Sequence, residues 1–486
     1  MSNKEVFFKG ISTQTLITLV MGIMEVFVFS MMSRFLSKSE FGYFAALTGI
    51  ITVCTSITEA GLGAAIIQKK DAQTSFVATV FSLSWLMGIV GTLLIFVFAP
   101  VISLVIADET LTTPLRIMSV NIFFACILSV KRSLLIKKLD FKKVGMYNIS
   151  AYSLSAAIGI TLAYLGFGLY AVIAVSVLNL FFFNILLYCR RGEVPKFAFD
   201  RSQISSIFSF GGWLTAGVIV NNLTQQMDRL FLSKWLSVTA LGSYNRPAGF
   251  VSNITTRING IFDTVLFPML SKAQDDEKKI KTVFVKAVKL LNSFSVVLFA
   301  IFFFNAELII SIFFGSNWIN LVPVMQIVSI YVIFNIDSRL VDCYFRSLAM
   351  VDLGFKLRVC SALITFIGLY IGSEFDILGV AIGLVVSNIL TVFLKVSFLS
   401  RRLKISIISV FASMFLACKP ILLLGLIGYV NLLFFNHGIV QQIVFATLYA
   451  FIILSMFLFF PNMVGSEYAE TVYPSVKTKI LRKFCK

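Results

Sequence analysis

The sequence predicts an all-α polytopic membrane protein of about 14 transmembrane helices. These form two six-helix lobes related by a pseudo-twofold axis along the membrane normal, followed by two extra C-terminal helices. Three observations predict it. Of the 486 residues, 58% are hydrophobic and only 13% are charged, whereas soluble globular chains are about 45–50% apolar and about 25% charged. Apolar runs of roughly 20 residues, enough to cross a hydrocarbon core, recur along the chain. Short sequence words in the first half return in the second, as in transporters built from repeats.

Taken in order, the apolar runs place spans at 10–33, 42–67, 75–98, 115–136, 144–165, 168–189, 207–233, 240–268, 283–304, 321–345, 355–372, 377–398, 406–430 and 439–460. Short cytoplasmic loops are enriched in Lys and Arg. With the N-terminus inside, the inner segments hold 31 basic residues, including Lys131, Arg132, Lys137, Lys138, Lys142 and Lys143. The outer loops hold four, Arg34, Lys38, Arg116 and Lys234, and carry the acidic residues Asp108, Glu109, Glu374 and Asp376. Both termini are therefore expected in the cytoplasm. The remaining six basic residues lie within spans: Arg229, Arg246, Arg257, Arg339, Lys395 and Lys419. Lys395, near a cytoplasmic end, is expected to snorkel, and Lys419 precedes Pro420, which kinks its helix.

Repetition divides the chain. Asn121-Ile122 returns as Asn335-Ile336, Arg132-Ser133-Leu134 as Arg346-Ser347-Leu348, and Leu139-x-Phe141-Lys142 as Leu353-x-Phe355-Lys356, each offset by 214 residues. Phe35-Leu36-Ser37-Lys38 returns as Phe231-Leu232-Ser233-Lys234, and Gly42 with Phe44 as Gly242 with Tyr244 after four inserted residues. The expected division is an N-lobe over 1–200, a C-lobe over 201–404, two added spans over 405–462 and a cytoplasmic tail over 463–486. Six spans is an even number, so the lobes share one orientation, the parallel type of repeat.

Several function classes fall away. The net charge of +18 resides in cytoplasmic loops and not in a basic tract interleaved with aromatics, which argues against nucleic acid. Seven scattered cysteines with no C-x-x-C pair, and a single histidine, His437, leave no Cys/His metal site and no disulfide framework. No nucleophile elbow, P-loop or Rossmann fingerprint stands out; Gly61-Leu62-Gly63 reads as a place of close approach at the end of span 2. The first apolar run is too long for a cleavable signal. A non-enzyme without a resident cofactor is expected.

Charges at membrane depth are costly and normally face a protein interior or a wet cavity. The richest stretch is Thr215–Pro268, with Asn222, Asp228, Arg229, Arg246, Asn253, Arg257 and Asp263. Arg246 and Arg257 are about three helical turns apart and share a face with Asn253, Gly260 and Thr264. Guanidinium forks favour carboxylate or phosphate oxygens. Arg229, Arg246, Arg257, Asn222 and Asn253 are thus candidates to bind an anionic cargo. The matching hairpin of the first lobe is acidic, with Glu25 in span 1 and a stripe of Thr48, Thr52, Thr55 and Glu59 in span 2. Glu25, Glu59 and Asp263 are candidate cavity acids that would couple H+ or Na+. Structural alternatives stand beside these: a Thr stripe also makes plain helix contacts, Asp228 with Arg229 reads as an interfacial pair, and Arg339 with Asp342 has the spacing of an internal ion pair.

The stretch Arg34-Phe-Leu-Ser-Lys-Ser-Glu-Phe-Gly42-Tyr-Phe, then Glu59-Ala-Gly61-Leu-Gly63-Ala-Ala-Ile-Ile-Gln68, resembles the polysaccharide transporter family, and Leu139-Asp-Phe141 fits it too. These are Wzx-like O-antigen and exopolysaccharide flippases of the multidrug/oligosaccharidyl-lipid/polysaccharide exporter superfamily. The resemblance covers the twelve-helix body. It implies translocation of undecaprenyl-pyrophosphate-linked oligosaccharide across the bacterial cytoplasmic membrane, a cationic central cavity, and membrane lipids and the polysaccharide polymerase machinery as partners. The two added spans resemble those of the lipid II flippase, though span 1 here has Glu25 and no arginine before Arg34. Two alternatives remain open: an H+/Na+-coupled multidrug-type exporter, and a membrane glycan polymerase or ligase. The second is disfavoured by short outer segments.

Overall fold

The computed structural model describes residues 3–59, 61–68, 74–105, 109–138, 140–189, 195–200, 202, 204, 219–220, 222–229, 232, 235–272, 276–348, 350–416, 424–428, 439–459, 461–464 and 469–470. Side chains 3–15 and 261–269, among others, lie outside that description. Among the described residues the chain is helical with no β-strand. The chain is an all-α polytopic membrane protein. Nine helical segments among the described residues are long and apolar enough to cross a membrane. The expected span 207–233 falls largely outside the described residues, and so do 417–423 and 429–430 of the expected span 406–430, with Lys419, Pro420 and His437.

The helices are α1 (Asn3–Phe35), α2 (Lys38–Glu59), α3 (Leu62–Gln68), α4 (Thr74–Val105), α5 (Thr112–Lys137), α6 (Phe141–Tyr164), α7 (Leu169–Tyr188), α8 (Val238–Lys272), α9 (Glu277–Phe304), α10 (Ala306–Phe313), α11 (Val322–Ser347), α12 (Val351–Ser373), α13 (Asp376–Leu403), α14 (Ile407–Leu416), α15 (Ile439–Phe459) and α16 (Pro461–Val464). Two compact units divide them, Met1–Asn245 and Arg246–Lys486, with the boundary inside α8.

In the first unit α4 packs on α5, α6 on α7, and α5 on both α2 and α7. The core between them holds Leu47, Ile51, Ile95, Leu115, Met118, Ile122 and Ile173. Polar ties accompany it. Asn121 Nδ2 donates to Ser176 Oγ at 2.9 Å, and Asn184 Nδ2 donates to the Phe124 carbonyl at 3.0 Å. After α7 the chain runs back along α4, where Ala198 N–H donates to Ser82 Oγ and Asp200 N–H to Thr79 Oγ1. In the second unit α12 packs on α13, and α11 on α9 and α13. The C-terminal α15 joins α9 through Phe445, Tyr449 and Met456 against Val297 and Ala300.

Large apolar side chains stand exposed along α4 and α12, among them Leu93, Phe98, Leu363 and Ile367. On a protein in water such faces drive association; here they are the surface that meets lipid, where every backbone group is already paired within its helix.

Three details differ from the sequence expectation. The run 42–67 is not one helix. α2 ends at Glu59, Gly61 takes φ 68°, and α3 follows. A left-handed residue interrupts the i to i−4 ladder, and glycine adopts it without steric cost. Gly63 then meets α5 closely, for a Cβ there would stand 2.7 Å from Ser133 Oγ. The segment between α9 and α11 contains α10 and a 3-10 turn over Ser316–Leu321. Finally, both limits of α11 lie 210 residues after those of α5, not 214. A slip of four residues is close to one helical turn, so it keeps the apolar face in place and escapes word matching.

The starts of α2 and α6 are capped by residues of the family-like words. Ser37 and Glu40 form a reciprocal capping box: the Ser37 N–H and Oγ–H donate to Glu40 Oε2 at 2.7 and 2.8 Å, and Glu40 N–H donates to Ser37 Oγ at 3.3 Å. The other carboxylate oxygen of Glu40 accepts from Leu169 N–H at 3.1 Å, the first residue of α7. Gly168, at φ 51°, leaves room for that carboxylate. Asp140 caps α6 by accepting from Lys143 N–H. Replacing Glu40 with Ala is expected to lower stability by about 0.5–2 kcal/mol, the range for lost caps. Glu40→Gln should lose less, as read by thermal unfolding of the detergent-solubilised protein.

Candidate functional site

The acidic hairpin of the first unit is largely satisfied from within. Thr48 Oγ1 donates to the Phe44 carbonyl at 2.6 Å, Thr52 to Thr48 and Ser56 to Thr52, each at 2.7 Å. Hydroxyls that bond back four residues spend their donor and keep one lone pair. Ser56 uses it: Asn222 Nδ2 donates to Ser56 Oγ at 2.6 Å. That contact ties the helical residues 222–229 to α2 through a serine outside the stripe seen in the sequence. Glu59 is half-buried at the end of α2, and the opposite charge acting on it is Arg132 of α5. Glu25 is half-buried midway along α1.

Asp228 and Arg229 attract each other by charge, and each also makes a hydrogen bond of its own. Asp228 Oδ1 accepts from the backbone N–H of Arg229 at 2.8 Å, while Arg229 Nη1 donates to Gln226 Oε1 at 3.0 Å.

In the second unit α8 separates its arginines by environment. Arg246 is fully buried, with its guanidinium 5.9 Å from the centroid of the Trp318 ring, a cation–π distance. Trp318 belongs to the 3-10 turn after α10, which also brings Phe313 and Phe314 against Phe250. Further along, Asn253, Thr256 and Gly260 are exposed and Arg257 is half-buried. Arg246, Asn253 and Arg257 therefore share a helical face, but the 3-10 turn covers one end of it. Asp263 lies in α8 with its side chain outside the described residues. On the buried side Asn259 Nδ2 donates to Asn335 Oδ1 of α11 at 2.9 Å.

Two charged contacts on α11 were not expected. Asp337, 2% exposed, accepts from Asn292 Nδ2 of α9 at 2.7 Å. Lys395 of α13 does not snorkel. It is 4% exposed and donates to Ser338 Oγ and Asp342 Oδ2, both at 2.9 Å. Asp342 thus pairs with Lys395 on a neighbouring helix, in place of the expected pairing with Arg339 three residues away. The misreading has a physical cause. Lys395 lies only two turns from Arg401 and Arg402 in sequence, which suggests an end position, yet its stem turns inward because Asp342 offers a charge there. The only signal was that Asp342 and Lys395 are opposite charges in separate apolar runs.

A buried pair is costly to break because the abandoned charge has no water, about 3–5 kcal/mol when one partner is removed. Lys395→Met is therefore expected to destabilise the second unit by roughly that amount. The double variant Lys395→Met/Asp342→Asn should recover most of the loss, as measured by a double-mutant cycle in thermal unfolding.

The described residues contain no cluster of His, Cys, Asp and Glu able to hold a metal ion. The candidate residues are arginines, amides and carboxylates carried on long helices. The lipopolysaccharide biosynthesis protein WzxC of Escherichia coli K12 is 23% identical over 402 residues, 81% of each chain. The succinoglycan biosynthesis transport protein ExoT of Rhizobium meliloti is 26% identical over 303 residues, 62% of this chain and 60% of that one. Among solved structures, the lipid II flippase MurJ in an inward closed conformation matches with TM-score 0.72 at 16% identity, covering 91% of this chain and 98% of that one. An inward-facing multidrug resistance MATE transporter of the MOP superfamily matches with TM-score 0.65 at 14% identity, covering 80% and 98%. The fold is thus that of MurJ and the MATE transporters. The family of polysaccharide biosynthesis proteins matches residues 31–323, more than half of the sequence, and the chain belongs to that family.

Proposed function

We propose that this protein is a flippase that moves an undecaprenyl-pyrophosphate-linked oligosaccharide across the bacterial cytoplasmic membrane by alternating access between two lobes. The observation that carries the reading is Arg257, half-buried beside the exposed Asn253 on α8, in a chain of the polysaccharide biosynthesis family with a MurJ-like fold. A guanidinium in a low-dielectric setting binds a pyrophosphate or an acidic sugar through charge-assisted, bidentate hydrogen bonds. Asn222, Arg229 and Arg246 complete the proposed cationic cavity, Glu25, Glu59 and Asp263 are the acids that would carry H+ or Na+, and the polysaccharide polymerase machinery receives the product. The excess of basic residues in alternate loops supports cytoplasmic termini.

Arg257→Ala is expected to leave the protein inserted and folded but to reduce surface polysaccharide about tenfold or more, the cost of one charge-assisted contact. Arg257→Lys should retain part of the activity. Normal polymer in a strain carrying Arg257→Ala would refute the assignment. Mass spectrometry of lipids that co-purify with the protein names the cargo directly.

The likeness to MATE transporters supports a second reading, a cation-coupled exporter of small molecules. That reading requires dye efflux abolished by Glu25→Gln. An arginine-bearing cavity disfavours cationic drugs.

A further inference from the structure

Two glycines at corresponding places in the repeated motif touch each other. Gly42 lies five residues after Ser37, which caps α2. Gly242 lies five residues after Ser237, whose Oγ accepts from Ala240 N–H at 3.0 Å at the start of α8. Both glycines belong to the first unit, and there the opening turns of the two helices cross backbone to backbone, with the Val238 side chain beside the crossing. A Cβ on Gly42 would overlap the carbonyl oxygen of Val238. A Cβ on Gly242 would overlap that of Lys38 and stand 2.8 Å from Gly42 N. Lys38 and Val238 are themselves equivalent, each the first residue of its helix. Each copy of the motif therefore sets its glycine against the first carbonyl of the other, the reciprocal pattern of a twofold contact.

The crossing differs from the other close glycine contacts. Gly368, Gly372, Gly379 and Gly383 lie between α12 and α13, sequence neighbours that share a long face. Gly42 and Gly242 join helices far apart in sequence, and α2 and α8 are not among the helix pairs that share an extensive face. A glycine Cα–H set against a carbonyl oxygen makes only a weak contact, about half the strength of an N–H···O hydrogen bond. A point contact of that strength breaks and reforms at little cost, whereas interlocked side chains do not.

We propose that the Gly42–Gly242 crossing is a separable backbone latch. It closes the end of the molecule that the charge distribution assigns to the outside, and it parts when cargo leaves. The latch rests on the alternating-access reading above, but its test needs no cargo. Thr52 provides the reporter: it is half-buried on the polar stripe of α2, about 15 Å along the helix from Gly42. Thr52→Cys is introduced into the full chain together with Cys54→Ser, which removes the neighbouring thiol, right-side-out membrane vesicles are treated with a membrane-impermeant maleimide, and modification of the peptide carrying residue 52 is followed by mass spectrometry.

Gly42→Ala and Gly242→Ala should each raise the labelling rate about fivefold or more by forcing the turns apart, and Gly42→Val should raise it further. Gly354→Ala, whose Cβ would rest 3.5 Å from Phe345 Cβ in ordinary contact, should leave the rate unchanged. Unchanged labelling in both alanine variants at normal insertion levels overturns the latch. So does a fall in inserted protein whose surviving fraction labels at the parental rate, since that outcome marks a fixed packing site. Normal polysaccharide in the Arg257→Ala strain would sink the cargo assignment while leaving the labelling result intact.

Discussion

In this protein every polar group placed at membrane depth has to find its partner within the protein, because lipid supplies none. The second unit follows from that constraint. Asp337 has Asn292, Lys395 has Asp342 and Ser338, and Asn335 has Asn259. These contacts radiate from α11 to α8, α9 and α13. They fix the rotation of four helices about their axes, which apolar packing against apolar lipid-like surfaces specifies poorly. The first unit meets the same constraint with smaller groups, as hydroxyls return to their own helix and amides bridge to neighbours. The second unit holds the stronger charges and correspondingly makes the larger commitments.

Much of the fold is written in the sequence because length and apolarity alone select a membrane-spanning helix. The limits of α5, α6, α7 and α11 fall within about three residues of the apolar runs, whereas α1 and α9 begin well before theirs because polar first turns extend them. What escaped had no signature in hydropathy. The break at Gly61 is a single backbone dihedral inside an apolar run, and the register of the repeat is blurred because a four-residue slip preserves the helix face. The candidate site was legible in kind but not in pairing. Arg257 and Asn253 stand on an accessible face of α8, while Arg246 on the same face is covered by Trp318, a residue some seventy positions later. Asn222 was singled out, but its partner Ser56 was not, since a serine that bonds back within its helix reads as inert. Lys395 was misjudged because spacing along one helix says nothing about charges on the next.

The two copies of the repeat have also diverged in a physically ordered way. Both open with a capping serine and a glycine one turn later. In the first copy Glu40 completes the cap and reaches α7; in the second Ala240 occupies the matching place, and the helix start relies on the serine alone. Charge at the opening turn is thus carried by the first copy and not by the second. Shared ancestry of the motif and separate roles for its two copies coexist without any change in helix architecture.

The glycine-lined seam between α12 and α13 bears on how the chain is made. Its four glycines face one another across a turn of only two residues, so nearly all of its contacts are local in sequence, and little loop entropy opposes closing it. A hairpin of this kind can pair as soon as its second strand of helix has left the ribosome, before α14 and α15 exist. It then presents α11 with a finished surface, already carrying Lys395, on which the charge of Asp342 can dock.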